Sequence, residues 1–247
     1  MDRLAFALKV KYSPPPLPSG WAMDKRWTAR LYRRFLHKYF LNDLGFELQL
    51  DAKREALAYI RAHMASAMMA RDRFELLRFA VRQIRHQGLV LEFGVEKGAS
   101  LTTLANAYKG EVHGFDSFRG LPEDWTGTYE ERGKFSMGGR LPKVPDNAKL
   151  HVGWFDKTLP EFLATTPDDV ALLHVDCDIY SSTKTIFEGL GPRIKPGTVI
   201  VFDEYFNYPA WRHHEYKAFQ EFVAAGNRRY SYIGFSSEKG HVAVRME

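Results

Sequence analysis

Apolar residues follow two regimes along the chain, one on either side of Gly88. Before it the spacing is helical. Phe74, Leu77, Val81 and Ile84 recur at three and four residues, with Arg71, Arg78, Arg82 and Arg85 opposite them. This predicts an amphipathic helix ending near Gly88, its arginines in solvent. Asp24 opens an earlier aromatic-rich helical stretch through Trp27, Leu31, Phe35 and Tyr39, and Asp51 a third around Leu57, Ile60 and Met64. The proline-rich run 13–20 reads as a stiff, extended connector, and residues 1–10 as an ordered arm.

After Gly88 the pattern changes to short β-rich runs at 89–93, 112–115, 150–152, 170–175 and 198–202, separated by helical lengths. Such alternation predicts a mostly parallel sheet with helices on both faces. Two further runs, 230–235 and 241–245, flank a short polar turn and predict an antiparallel hairpin at the sheet edge, seven strands in all. The expected organisation is a helical N-terminal extension and lid, 1–87, followed by an α/β domain, 88–247. No internal repeat is visible. Ligands of open α/β sheets bind beyond the carboxyl ends of the strands, so the residues after each run carry the interest.

Composition narrows the class. With 247 residues, 45% apolar and 26% charged, the chain can bury a sizeable core and lies outside the disordered and fibrous regimes. Its single cysteine, Cys177, excludes an intrachain disulfide framework and any multi-cysteine metal site. A reducing, cytoplasmic home is expected. No run approaches the roughly 18 apolar residues of a transmembrane helix, so no membrane span is expected. The net charge of +5 is uneven, +9 over residues 1–90 and −4 over the rest. The basic excess is read as a solvated helix face and not as a nucleic-acid site, because charge alone names no partner.

Chemistry-bearing residues cluster at the strand ends. After the first run, Glu92-Phe93-Gly94-Val95-Glu96-Lys97-Gly98-Ala99-Ser100 makes a strand-to-helix turn in which two glycines let backbone approach a ligand. It is not the dinucleotide fingerprint G-x-G-x-x-G. Asp116 ends the second run, 24 residues after Glu92, where a carboxylate can accept the hydroxyls of an adenosine ribose. A helix cap or loop-starting Asp is the competing reading. Asp176, Asp178, Asp203 and Glu204 converge at the ends of two further strands. Unpaired they would raise one another's pKa, which a hard divalent cation resolves, magnesium suiting this oxygen-rich set better than zinc. Capping of the following helix by Asp178 or Ser181 is the alternative there.

The ordered motifs Glu-x-Gly-x-x-x-Gly, Phe-Asp-Ser-Phe-x-Gly-Leu-Pro-Glu at 115–123, Gly-Trp-Phe-x-x-Thr-Leu-Pro at 153–160, Asp-x-Asp-x-Tyr-x-Ser-Thr at 176–183 and Pro-Gly-x-x-x-x-Phe-Asp-Glu-Tyr at 196–205 resemble those of the macrocin-type sugar O-methyltransferases. These are class I, Rossmann-like methyltransferases that use S-adenosylmethionine, and the resemblance spans 88–247. It implies that Glu92, Gly94, Gly98 and Ser100 line the methionine part of the cofactor, Asp116 and Ser117 the ribose, and Gly153, Trp154 and Phe155 the adenine side, with Asp176 bordering the same pocket. It implies Mg²⁺ on Asp176, Asp203 and Glu204, and Asp178 as general base. Family members commonly carry Asp-Asp where this chain has Asp203-Glu204. The resemblance also implies a homo-oligomer.

The expected reaction is therefore magnesium-dependent methyl transfer from S-adenosylmethionine to a hydroxyl of a sugar or other vicinal-diol small molecule. His213 and His214, after the fifth strand, are the alternative base. Cys177, flanked by two acids, is expected to be an inert buried thiol. Aromatic residues Trp125, Tyr129, Tyr205, Phe206, Tyr208 and Trp211 are candidates for an acceptor wall. Rival expectations are a methyltransferase for a catechol-like or nitrogenous acceptor, and a catalytically inactive S-adenosylmethionine-binding protein.

Overall fold

The computed structural model describes residues 30–32, 34 and 42–247. The chain divides into two compact units, Met1–Leu44 and Gly45–Glu247. The arm 1–10, the connector 13–20 and most of the helix expected from Asp24 lie outside the described residues. From Leu44 onward the elements are α1 (Leu44–His63), β1 (Met68–Ala70), α2 (Arg73–Arg82), β2 (Leu89–Phe93), α3 (Ala99–Ala107), β3 (Val112–Asp116), β4 (Ala148–Val152), α4 (Phe155–Thr165), β5 (Val170–Val175), α5 (Tyr180–Leu190), β6 (Ile194–Phe202), α6 (Glu215–Ala225), β7 (Tyr230–Ser236) and β8 (Val242–Met246).

The strands form one sheet in the order β1-β7-β8-β6-β5-β2-β3-β4. All neighbours run parallel except β8, which is antiparallel to both β6 and β7. The expected hairpin is present, but it is not the edge. β1 pairs in parallel with β7, Met68 opposite Gly234, so the sheet has eight strands where seven were expected. Met68-Met69-Ala70 has neither a β-branched residue nor an alternating pattern, and nothing in its spacing marks a strand.

Period-2 alternation sorts the sheet into two faces. Leu91, Phe93, Phe115, Leu173, Val175, Ile200 and Phe202 pack with α1, α4, α5 and α6 on one side. Val90, Val112, Leu172, Val199, Val201 and Ala243 pack with α2 and α3 on the other. All residues of β2 and β5 are buried, as the near-continuous apolar runs require of strands covered on both faces. Each fully buried Leu, Ile or Val contributes about 1.5–3 kcal/mol, and this double layer is where most of the fold's stability resides. Helix α1 is tied down by tyrosine hydroxyls: Tyr59 meets Tyr232 at 2.6 Å, and Tyr232 meets Tyr205 at 2.7 Å.

The same alternation positions two polar residues. Glu92 and His174 fall in register on adjacent strands, on the α2/α3 face. Helix α2 starts above them because Asp72 caps it, its side chain accepting from Glu75 N at 2.8 Å. A cap of this type is worth about 1 kcal/mol, and here it fixes Arg73 as the first helical residue. Arg71, Arg78, Arg82 and Arg85 are exposed, as the spacing predicts. Among the described residues no helix is long and apolar enough to cross a membrane.

Candidate active site

Backbone bonds bring the carboxyl ends of four strands level: Gly94 N donates to Phe115 O, Asp176 N to Phe93 O and Asp203 N to Val175 O, each at 2.9 Å. Above them opens a cavity of about 900 Å³, within the range of small-molecule sites. The turn after β2 forms one wall. Gly94 has φ +94°, and a Cβ there would fall 1.6 Å from the Asp176 carbonyl oxygen, so only glycine lets the turn lie against that strand end.

Asp116 organises the same turn. Its Oδ2 accepts from Val95 N and Glu96 N, both at 2.8 Å, and its Oδ1 from Phe118 N at 2.6 Å. Three of roughly four acceptor directions are thereby used, leaving one on Oδ1. Of the residues expected to hold the cofactor, Gly94, Ser100, Asp116, Ser117, Trp154, Phe155 and Asp176 line the cavity. Glu92 does not line it; it is fully buried beneath the turn, accepting from Ser100 Oγ at 2.8 Å. Gly98 supplies the left-handed start of α3, and Gly153 lies beside Thr158, neither on the lining.

The acids gather on the opposite wall. Asp176, Asp178, Asp203 and Glu204 all line the cavity. The helix-capping alternative does not hold, because the residue before α5 is Ile179 and no side chain caps it. Asp178 itself sits at φ +66°. Two ligand-type sets arise, each with its atoms within 4.8 Å of one another: Asp176, Asp178 and Glu204, and His174, Asp176 and Asp203. The residues fit a hard divalent cation in one respect that capping does not explain: Glu204 Oε2 is buried and meets no hydrogen-bond partner.

The electrostatics separate Asp203 from the other three. Burial alone would raise its carboxyl, but His174 and His241 beside it hold it well below the usual range. Arg73 adds an ion pair, Nη1 to Asp203 Oδ2 at 3.0 Å, and stands 3.8 Å from Asp176. His174 lies between Glu92 and Asp203, 3.4 and 3.7 Å away. Burial opposes its protonation, yet Asp203 and Glu92 push it up to about 10. Asp178 is raised to about 7 by burial and by its acidic neighbours Asp203 and Glu130. Asp176 and Glu204 are driven up for the same two reasons, burial first and like charge second.

Sequence reasoning missed the residues that hold this arrangement. Glu215, the first residue of α6, is fully buried and accepts from Asp178 N at 3.3 Å and from Glu204 N at 3.1 Å, bridging the two acid-bearing loops. No spacing announced it. Arg73 and His174 did leave a signal. Arg73 falls in phase with Leu77, Ala80, Val81 and Ile84, an arginine on the apolar stripe, and His174 interrupts an otherwise apolar buried strand.

The alternative bases stand apart. His213 is exposed, and His214 is buried with Nε2 2.8 Å from Thr126 O; neither lines the cavity. Cys177 lines it, but burial pushes its thiol far up and Sγ rests 3.4 Å from Thr183 Oγ1. Of the aromatic candidates, Trp125 lines the cavity, whereas Tyr205, Phe206 and Trp211 are buried in the core and Tyr129 is exposed.

Comparison with known proteins bears on this geometry. Residues 91–205 match a family described as a methyltransferase domain. The chain is 25% identical over 214 residues to the 8-demethyl-8-(2,3-dimethoxy-alpha-L-rhamnosyl)-tetracenomycin-C 4'-O-methyltransferase of Streptomyces olivaceus, covering 74% of this chain and 77% of that protein. It is 25% identical over 172 residues to the demethyldecarbamoylnovobiocin O-methyltransferase of Streptomyces niveus, covering 59% and 64%. The fold is shared with the crystal structure of CalS11, a calicheamicin methyltransferase, at a TM-score of 0.56 and 21% identity over 94% of this chain and 98% of that one.

Proposed function

We propose that this chain, whose residues 91–205 match a methyltransferase domain, is a class I, S-adenosylmethionine-dependent O-methyltransferase that methylates a hydroxyl of a sugar, free or attached to a natural product, with a divalent cation bound at the strand-end acids. The observation that carries this reading is the meeting, in one cavity, of a glycine turn held by Asp116 with the carboxylates of Asp176, Asp178 and Glu204. The two curated relatives are by name a methyltransferase for a rhamnosyl group and one for a novobiocin precursor.

In this reading Gly94, Ser100, Asp116, Ser117, Trp154 and Phe155 bind the cofactor. Asp116 acts twice, shaping the turn through three backbone N–H groups and offering its remaining acceptor direction to the ribose. Trp154, 41% exposed and lining the cavity, offers its ring to the adenine. Bound S-adenosylmethionine supplies an electrophilic methyl group, and bound Mg²⁺ lowers the pKa of a neighbouring sugar hydroxyl. Asp178 would accept the proton of the acceptor hydroxyl when its oxygen takes the methyl group, the sulfur–methyl bond breaking and S-adenosylhomocysteine being the leaving group. Trp125 and Leu121, packed together on the loop after β3, line the cavity and are assigned to the acceptor's side of it.

The test is a product assay. The chain is incubated with S-adenosylmethionine and a panel of deoxysugar-bearing, catechol and amine acceptors, with Mg²⁺ or with excess EDTA, and products are identified by mass spectrometry. Methylation of sugar hydroxyls that EDTA abolishes is the expected result. Methylation confined to catechols or amines would refute the acceptor class, and full activity in EDTA would refute the cation.

A further inference from the structure

Two loops meet beside the acid wall of the cavity. The first runs between β3 and β4. Leu121 N donates to Lys134 O at 3.0 Å and Trp125 N to Glu130 O at 2.9 Å, so residues 121–134 fold back on themselves, with Leu121, Trp125 and Glu130 on the cavity lining. This excursion lies close to Asp178: Trp125 packs with Ile179, the next residue along, and the Glu130 carboxylate is one of the charges that raise Asp178. The second loop, residues 203–214, joins β6 to α6.

Three contacts fasten the loops together. His214 Nε2 lies 2.8 Å from Thr126 O, and because a carbonyl only accepts, Nε2 carries the proton. His214 is 4% exposed and its Nδ1 is buried with no partner among the described residues, a cost accepted where the Nε2 bond fixes the geometry. Trp125 meets Tyr208 edge-on, ring centroids 5.3 Å apart at 71°. Gly127 supplies the third contact. At φ +83° a Cβ there would fall 2.3 Å from Ala210 Cβ, and Ala210 is itself left-handed at φ +62°. The approach therefore needs a glycine on one loop and a strained alanine on the other, and strain of this kind gathers at functional sites.

His214 directly precedes Glu215, which accepts from Asp178 N and Glu204 N. Two consecutive residues at the start of α6 thus hold the two sides of one gap, His214 the Trp125 loop and Glu215 the acid loops. We propose that His214 is a positioning residue for the acceptor, tying Thr126 to α6 so that Trp125 is held across the cavity from Asp178 at the spacing the acceptor ring requires. This rests on the reading that the acceptor binds beside Asp178. His214 does not line the cavity, so it acts through Thr126 and Trp125 and takes no proton itself. Because Glu215 holds the acids independently, loss of the clasp weakens acceptor binding and spares the chemical step, whereas loss of a base lowers kcat.

The experiment is steady-state kinetics of the full chain with para-nitrophenyl α-L-rhamnopyranoside as acceptor, with S-adenosylhomocysteine binding by calorimetry as the check on folding and on the cofactor side. Four forms are compared with wild type: His214→Leu, His214→Gln, Gly127→Ala, and Gly127→Ala combined with Ala210→Gly. His214→Leu and Gly127→Ala should each raise the acceptor KM at least about tenfold while kcat stays within about threefold. A glutamine amide can still donate to Thr126 O, and removing the Ala210 Cβ makes room for the new one at 127, so the other two forms should recover to within about threefold of wild type. Unchanged KM in both disrupting variants would overturn the proposal, as would a fall in kcat at unchanged KM. If His214→Leu fails to fold, the Gly127 pair decides, and absence of rescue by Ala210→Gly overturns the clasp. Sugar methylation by the wild type with an indifferent His214→Leu would overturn this inference alone, whereas a folded wild type that methylates no sugar would overturn the proposed acceptor class and this inference with it.

Discussion

Replacing Glu215 by alanine removes one buried carboxylate and, with it, the acceptor for two backbone N–H groups on two different loops. The bonds are 3.3 and 3.1 Å long, longer than the usual 2.9–3.0 Å for N–H···O, so each stands at the lower end of the range, about 1 kcal/mol. Stranding the two donors in the protein interior adds to that loss. Relief of repulsion from Asp178, which raises Glu215 after burial does, offsets part of it. A net destabilisation of about 2 kcal/mol follows, which for a domain of this size lowers Tm by roughly 4–8 °C. The catalytic effect should be larger, because the bonds hold Asp178 at its positive φ and Glu204 opposite it. Misplacing a catalytic group by about 1 Å costs on the order of 10²-fold, so kcat should fall about 10- to 100-fold. The residues assigned to the cofactor follow β2, β3 and β4, and Glu215 hydrogen-bonds to none of them, so affinity for S-adenosylhomocysteine should change less than about threefold. Glu215→Gln keeps one acceptor oxygen and should show a milder loss of kcat. Calorimetric melting, ligand titration and steady-state rates read the three quantities. An alanine variant with unchanged Tm and kcat would refute the bridging role, and parallel collapse of ligand affinity and kcat would refute its restriction to the acid loops.

Asp116→Ala should strand Val95 N and Glu96 N and weaken S-adenosylhomocysteine binding more than about tenfold by calorimetry, given roughly 1.5–3 kcal/mol for each hydrogen bond to a charged group; unchanged affinity would remove Asp116 from the site. His174 titrates in the folded chain at about 10, above the ordinary value near 6.5. The stability it contributes is therefore complete below pH 6.5 and is lost as pH rises through 10. The gap in urea stability between wild type and His174→Gln should be widest near pH 6 and close toward pH 10, and a gap constant across that window would contradict the Glu92–His174–Asp203 arrangement.

The parts of the fold legible in the sequence are those where one physical rule dominates. β5 ends where its apolar run ends, and the glycine turn after β2 follows from backbone that must pass against Asp176. The register that aligns strand ends then places Asp116, Asp176 and Asp203 around one cavity, as their positions after the runs implied. β1 escaped because three residues are too few for a period to show, and its pairing partner lies far along the chain. Glu215 escaped for a different reason: its role is set by two backbone donors that converge only after folding, and no side-chain pattern records where backbone N–H groups will point. Asp203 was legible as a strand-end acid, but its partners were not, since Arg73 and His241 reach it from elements distant in sequence.

The pairing of β1 with β7 sets an order on folding during synthesis. Met68 waits for Gly234, and at roughly 5–20 residues per second the intervening chain takes on the order of ten seconds to emerge from a ribosome. Throughout that interval β1 has no hydrogen-bonding neighbour, and Arg73, two residues beyond Arg71 at the start of α2, has Asp176 only once β5 has been made and Asp203 only after β6. The sheet must therefore grow outward from β2, β3 and β5, with its first-made strand docking after almost everything else. A slow-translation mutant or a C-terminal truncation before β7 would thus leave exposed a short apolar segment that belongs to the N-terminal end of the unit, and the final hairpin acts as the clasp that completes the unit from both ends of its sequence.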